Sequence, residues 1–222
     1  MQRLRITFAR GKELKYISHL DLMRLWQRAL RRADIPLAYS QGFSPHPKLS
    51  LAAPLAIGVT SSGELMDVFL NRRVSPHFFL KSVSTKLPPS IDISEVAEIG
   101  LGVPSLQSQV LHAEYEVCVD TDKEAKELEA SLRSLLARDK LPWQHARDKE
   151  IRKYDLRSLI DSIWLIDWKP PECTLGMRLC CDSKGTGRPE QVTLALGFDN
   201  APKSIHRTKL ILSSQSNHGS RR

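Results

Sequence analysis

The chain has 222 residues, of which 41% are hydrophobic and 26% charged, a composition that supports a packed core and excludes an intrinsically disordered chain. No apolar run approaches the ~20 residues that span a bilayer, and charges stand where a signal peptide has its apolar region, so we expect a cytoplasmic protein without membrane association. The net charge is +8, and residues 1–50 hold ten Lys and Arg against three acidic residues. This basic segment favours an anionic partner such as RNA, although basic charge also serves solubility.

Regular structure is predicted throughout the first hundred residues. Residues 2–9 alternate charged and apolar side chains, which predicts a half-buried strand. Ser18 at an N-cap position and Asp21 three residues later precede apolar residues at helical spacing, which predicts a helix over residues 18–34. The pattern further predicts short strands over 37–40 and 48–53, a strand over 64–70, a helix from Ser75 to before Pro88, and a strand over 91–99.

The order of elements restarts after an interruption. Gly, Pro and Ser break the pattern over residues 100–111, which predicts a linker. A strand over 113–120 and a helix over 122–139 follow, then several strand-like runs and a short helix that begins at Pro189. The predicted fold is α+β, with two α/β-sandwich (ferredoxin-like) lobes whose helices pack on antiparallel or mixed sheets. The lobes cover residues 1–99 and 112–212, and the polar residues 213–222 are expected to be disordered.

Basic side chains repeat along the first predicted helix. Arg24, Arg28 and Arg31 are spaced i, i+4 and i+7, opposite the apolar stripe. Guanidinium groups bind phosphates through paired hydrogen bonds. Together with Arg3 and Arg5 of the preceding strand, they predict a surface that follows a nucleic-acid backbone, and a solvated helix face remains the alternative.

The stretch "YSQGFSPHPKLSLAAPLAIG", residues 39–58, is rich in proline and glycine. Proline cannot supply ladder amides and Gly42 permits positive φ, so this backbone is predicted to form a stiff loop. Gln41, Ser44, His46 and Lys48 are predicted to project from the loop as binding residues. A plain connection between strands is the open alternative.

Candidates in the second half have weaker patterns. Asp155 next to Arg157 is a candidate acid or nucleophile, and the turn from Gly185 to Pro189, with Arg188, is a candidate anion site. A surface ion pair and a capped turn explain these patterns equally well. The phosphate-loop, dinucleotide and nucleophile-elbow motifs are absent, and the four cysteines lack zinc-site spacing, so we predict neither metal nor cofactor and expect reduced thiols.

Residues 3–70, from "RLRITFARGKELKYISHLDLM" to "DVFL", closely resemble the start of the bacterial radical-SAM-linked proteins, a domain family of unknown function. "KYDLRSLI", "GTGRPEQV" and "HRTKLIL" resemble its later motifs, with Ser158 in place of an expected proline. The matching motif positions, which carry no established roles, are Ser18, His19, Asp21, Gln41, Gly42, Phe43, Ser44, His46, Pro47, Lys48, Asp155, Arg157, Arg188 and Pro189.

The resemblance implies a domain that is fused to, or encoded beside, a radical-SAM enzyme, with members commonly encoded near ribosomal and RNA-processing genes. The chain lacks the C-x-x-x-C-x-x-C motif that would hold an iron–sulfur cluster, so it is expected to be the free-standing partner. Three hypotheses follow: an accessory module that binds RNA or another anionic partner, an RNA-modifying enzyme similar to pseudouridine synthases that uses Asp155, and a purely protein-binding adaptor.

Overall fold

The structure is a computed structural model that describes residues 1–147, 150–182 and 185–213. The predicted tail, apart from Ser213, lies outside the described residues. The strands are β1 (Gln2–Arg10), β2 (Leu49–Leu51), β3 (Thr60–Leu70), β4 (Ile91–Ile99), β5 (Val110–Asp120), β6 (Pro142–Arg147), β7 (Glu150–Asp155), β8 (Ile160–Lys169), β9 (Glu172–Cys180) and β10 (Ser204–Leu212). The helices are α1 (His19–Arg32), α2 (Pro76–Ser84), α3 (Leu106–Gln109), α4 (Ala125–Leu136) and α5 (Pro189–Ala195).

Most strands join one mixed sheet, which confirms the predicted α+β class. The strand order is β4-β1-β3-β10-β5-β9-β8, with β2 paired to β3, while β6 and β7 form a separate hairpin. Neighbouring strands are antiparallel, with one exception: β10 pairs with β3 in parallel. In this parallel pair, His206 lies opposite Thr60 and Arg207 lies opposite Ser61. The last strand therefore connects the two halves of the sheet.

Two hydrophobic clusters pack against this sheet. One lies under α1 and α2 and includes Leu4, Phe8, Trp26 and Phe79. The other packs α4 against strands of the second half. The strand over residues 204–212 was missed by the sequence analysis because a charged residue, Arg207, occupies a buried position in it and breaks the apolar alternation.

Segment 100–105 is held against β1, although it was predicted to be only a linker. The guanidinium of Arg3 donates to the carbonyls of Val103 and Pro104 at 2.6 and 2.9 Å. The short helix α3 and the start of β5 follow within the same predicted linker.

The four cysteines are free thiols. No helix among the described residues has the length and apolar character needed to cross a bilayer.

Candidate functional site

Helix α1 is positioned by its cap and its apolar stripe. The Ser18 hydroxyl accepts the backbone N–H of Asp21 at 3.1 Å, and it donates to the Asp21 carboxylate, which lowers the pKa of that carboxyl. Leu22, Trp26 and Leu30 are buried beneath the helix, as the sequence predicted. Because the stripe faces the sheet, the opposite face is exposed to solvent.

The basic face of α1 consists of the exposed residues Arg24, Arg28, Arg31 and Arg32. Arg24 forms an exposed ion pair with Asp21 at 3.2 Å. The salt bridges among the described residues do not involve the other three guanidinium groups. These three arginines are therefore available to an anionic ligand.

A cleft of about 500 Å³ lies between α1 and the C-terminal end of α2. Arg28 and Arg32 line one wall and Lys86 lines the other. The remaining lining residues are Leu25, Ala29, Thr85, Leu87 and Pro88, so none of the residues that form this cleft is acidic. Three cations around a shallow, partly apolar groove suit a phosphate whose ester groups contact the apolar walls. We call this groove the α1–α2 cleft.

Lys86 was missed by the sequence analysis. It lies between α2 and the two prolines at 88 and 89, and no local pattern places it beside α1. Its position follows from the packing of the two helices. Because α1 and α2 lie on the same hydrophobic cluster, the C-terminal end of α2 comes to lie beside α1.

The 39–48 loop is exposed at its tip and fixed at its base. Ser40 and His46 are joined by two hydrogen bonds: the Ser40 N–H donates to His46 O at 2.9 Å, and the His46 N–H donates to the side-chain hydroxyl of Ser40 at 3.0 Å. Ala38 donates to Phe69 O, and Phe69 donates to Lys48 O, at 2.8 and 3.1 Å. Because its base is bonded to β3, the tip is presented with little ordering entropy left to lose on binding.

The tip carries the predicted polar residues and one aromatic ring. Gln41, Ser44 and His46 are exposed and Lys48 is half-buried, and Gly42 has a positive φ of 120°, a conformation that glycine permits. Phe43 is fully exposed, and a free ring of this kind can stack on a nucleic-acid base. The sequence analysis gave Phe43 no binding role, although an aromatic residue within a polar loop was the available signal.

The C-terminal end of α1 leads directly into the 39–48 loop. Asp34 ends the helix with a positive φ of 50°, and Asn71 N–H then donates to Pro36 O at 2.9 Å. Leu37 next bridges Leu70 at the end of β3. The 39–48 loop therefore follows α1 in the chain and starts beside the C-terminal end of β3.

Arg3 and Arg5 do not contribute to this surface, which corrects the sequence-based expectation. Their side chains are 3% and 13% exposed, and both form ion pairs with Asp67, which is fully buried. The physical reason is that the second face of β1 is also covered, because segment 100–105 lies over it and accepts hydrogen bonds from Arg3 through Val103 and Pro104. Alternation of charged and apolar residues marks an exposed face only where nothing packs on it.

Asp155 and Arg157 serve the turn that follows β7. One carboxylate oxygen of Asp155 accepts the backbone N–H groups of Leu141 and Arg157 at 2.8 and 3.0 Å. The Arg157 guanidinium donates to the carbonyls of Leu136 and Ile160 at 3.1 and 2.6 Å. Both residues line a groove of about 370 Å³, and their hydrogen bonds fix the local backbone. The role of Asp155 as an acid or nucleophile stays a prediction.

At the turn from Gly185 to Pro189, two backbone amides are already hydrogen-bonded within the protein. Gly185 N–H donates to the Asp182 carboxylate at 3.1 Å, and Gly187 N–H donates to Cys180 O at 2.9 Å. Arg188 is exposed and is the N-cap residue of α5. The anion site expected at this turn has fewer available amides than the sequence suggested, and it stays a prediction. Over the ranges that the structure describes, no group of three or more His, Cys, Asp or Glu side chains converges as metal ligands.

A family model described as an uncharacterized protein conserved in bacteria, DUF2344, matches residues 3–189. The chain belongs to this family. The match includes α1, the 39–48 loop, the α1–α2 cleft and Asp155. No curated protein sequence matches the chain.

Solved structures with a similar fold are distant in sequence. A chain in the crystal structure of a Cbf5–Nop10–Gar1 complex is 9% identical with a TM-score of 0.51, and the alignment covers 93% of this chain and 48% of that chain. A structure of an H/ACA RNP bound to a substrate RNA containing 2'-deoxyuridine is 10% identical with a TM-score of 0.48, covering 93% and 47%. An archaeal box H/ACA sRNP Nop10–Cbf5 complex is 9% identical with a TM-score of 0.46, covering 92% and 46%. The DUF2344 chain thus spans about half the length of these chains, and the likeness concerns the fold.

Proposed function

We propose that this chain is an accessory domain that binds RNA in the cytoplasm through the basic face of α1, the α1–α2 cleft and the 39–48 loop. The observation that carries the proposal is the convergence of Arg28, Arg32 and Lys86 on one groove without an acidic lining residue. Unpaired cations in a groove bind phosphates and release condensed counterions, which is the main source of affinity for nucleic acids.

The loop adds a second kind of contact. Phe43 offers an exposed ring next to the exposed polar side chains of Gln41, Ser44 and His46. Stacking of a base on an aromatic side chain contributes about 1–3 kcal/mol and tolerates any base, and single-stranded RNA exposes its bases for such contacts. We therefore assign phosphate binding to the helix and base stacking to the loop, with single-stranded RNA as the ligand.

A double substitution in the cleft tests this assignment. We expect Arg28→Ala with Arg32→Ala to weaken binding of a labelled single-stranded RNA about 10-fold and to reduce the slope of log K against log salt by about 1.4, since each lost phosphate contact removes about 0.7. Fluorescence anisotropy across a salt series measures both quantities. The matched control is Lys126→Ala with Arg133→Ala, which removes the same charge from the exposed face of α4. Equal losses in the two double variants would contradict a localised site.

We further propose a radical-SAM enzyme as the protein partner, as the resemblance of residues 3–70 to the radical-SAM-linked proteins suggests. A tagged chain purified from its host with and without nuclease tests this proposal. We expect a radical-SAM protein in the nuclease-treated eluate and RNA in the untreated one. Retention of the protein together with an absence of RNA would favour the adaptor hypothesis instead.

The hypothesis of an RNA-modifying enzyme has less support in this geometry. Asp155 accepts two backbone amides and orders a turn. The guanidinium of Arg157 is already occupied by two backbone carbonyls, those of Leu136 and Ile160. We therefore place RNA binding, rather than catalysis at Asp155, at the centre of the proposal.

A further inference from the structure

A buried charged cluster lies where the two halves of the sheet meet. Arg10 at the end of β1, Glu64 on β3 and Arg207 on β10 are each exposed by 2% or less. The carboxylate of Glu64 accepts two hydrogen bonds from the Arg207 guanidinium, at 2.8 and 2.5 Å. Glu64 therefore neutralises Arg207, and Arg10 remains as an additional buried cation.

The environment of Arg10 is electrostatically unfavourable. One terminal nitrogen donates to Ala56 O and Val59 O at 3.1 and 2.9 Å, and its Nε atom has no hydrogen-bond partner. Burial lowers the pKa of Arg10, Glu64 raises it, and the nearby Arg207 lowers it again. An unpaired cation of this kind is costly in a protein interior, and a bound anion would remove the cost.

The cluster is covered by one segment, residues 53–59, which belongs to no helix or strand. Its carbonyls at Ala53 and Pro54 accept from Arg207, and those at Ala56 and Val59 accept from Arg10. Four carbonyl oxygens thus point at two guanidinium groups. The outer side of the same segment is exposed to solvent, including Ile57 at 65%.

We propose that Arg10 and Arg207 form a binding site for a phosphate group, and that the carbonyls of segment 53–59 occupy the positions of its oxygens when the site is empty. Arg10 and Arg207 lie on either side of β3, both opposite Ser61. Arg10 offers its unused Nε and Arg207 the N–H groups now bonded to Ala53 and Pro54, an arrangement that suits the several oxygens of one phosphate. Binding requires the segment to move outward, and Gly58, at a positive φ of 87°, is a suitable hinge. This site is separate from the α1–α2 cleft and does not depend on RNA binding there.

Thermal unfolding in millimolar inorganic phosphate, at constant ionic strength, tests the site. In the Arg28→Ala, Arg32→Ala background, which removes two of the three cations of the α1–α2 cleft, we expect the Tm to rise with phosphate concentration and expect no rise once Arg10→Met is added. Arg10→Met is expected to fold with a Tm near that of the wild type, because it removes an unpaired buried charge. Equal shifts with and without Arg10→Met in this background would reveal only phosphate effects outside the Arg10–Arg207 cluster and would overturn the proposal.

Hydrogen–deuterium exchange of the wild-type chain gives an independent reading if Arg10→Met does not fold. Phosphate should change deuterium uptake in residues 53–59 and leave α4 unchanged. An unchanged segment at saturating phosphate would overturn the proposal. A second experiment replaces inorganic phosphate with a short single-stranded RNA. The same change in deuterium uptake with both ligands assigns the site to RNA phosphates. A change with inorganic phosphate alone assigns it to a small phosphate ligand.

Discussion

Replacing Asp67 by alanine is expected to destabilise the fold by about 3–5 kcal/mol, because the change leaves buried guanidinium groups without their counter-charge. Asp67 is fully buried and forms ion pairs with Arg3, which is 3% exposed, and with Arg5, which is 13% exposed. Arg3 also holds segment 100–105 through Val103 and Pro104. Loss of the carboxylate therefore weakens both the sheet and the connection that packs on it.

Urea unfolding followed by circular dichroism measures this effect. The matched control is Asp92→Ala, an exposed carboxylate on β4, which should change the free energy of unfolding by less than about 0.5 kcal/mol. The triple variant Arg3→Met, Arg5→Met and Asp67→Leu should recover most of the lost stability, since it removes the buried charges together. A cost of Asp67→Ala no larger than that of the control would contradict the buried cluster.

The second large effect is expected at Trp26, the residue that anchors α1. Its ring packs edge-on against Phe8 with centroids 4.9 Å apart and is fully buried. We expect Trp26→Ala to cost about 3–5 kcal/mol through the cavity that it leaves. Trp26→Phe should cost clearly less, because the Trp26 Nε1 atom has no hydrogen-bond partner to lose.

The same urea experiment distinguishes these two substitutions. Met23→Ala is the control, since Met23 lies on the same helix and is only half-buried. It should cost less than Trp26→Ala. Equal costs for Trp26→Ala and Trp26→Phe would show that packing against Phe8 is not what anchors α1, and the position of the basic face would need another explanation.

Helix α1 was predictable because its signals are local. The cap at Ser18, the apolar stripe and the basic face all lie within one stretch of sequence, and each appears in the structure. The base of the 39–48 loop and the positive φ of Gly42 were likewise encoded by nearby proline and glycine residues. Local patterns of this kind fix which residues share a face, but they do not fix what packs on it.

The remaining features depend on contacts between distant parts of the chain. Arg3 and Asp67 are 64 residues apart, and the pairing of Arg207 with Glu64 spans 143 residues. A single sequence presents each as an exposed charge, since its partner has no fixed spacing. Insertion of β10 between β3 and β5 buries Arg207 next to Glu64, whereas segment 100–105 covers Arg3. Lys86 likewise could not be assigned to the α1–α2 cleft, because its neighbours on α1 are distant in the sequence.

The salt dependence of RNA binding by the wild-type chain tests the central claim most directly. If Arg28, Arg32 and Lys86 each contact a phosphate, log K for a single-stranded RNA should fall against log salt with a slope of about −2. Anisotropy titrations from low to moderate salt provide this slope. A slope near zero, or an affinity too weak to measure at low salt, would contradict the assignment of the basic face and the α1–α2 cleft to RNA.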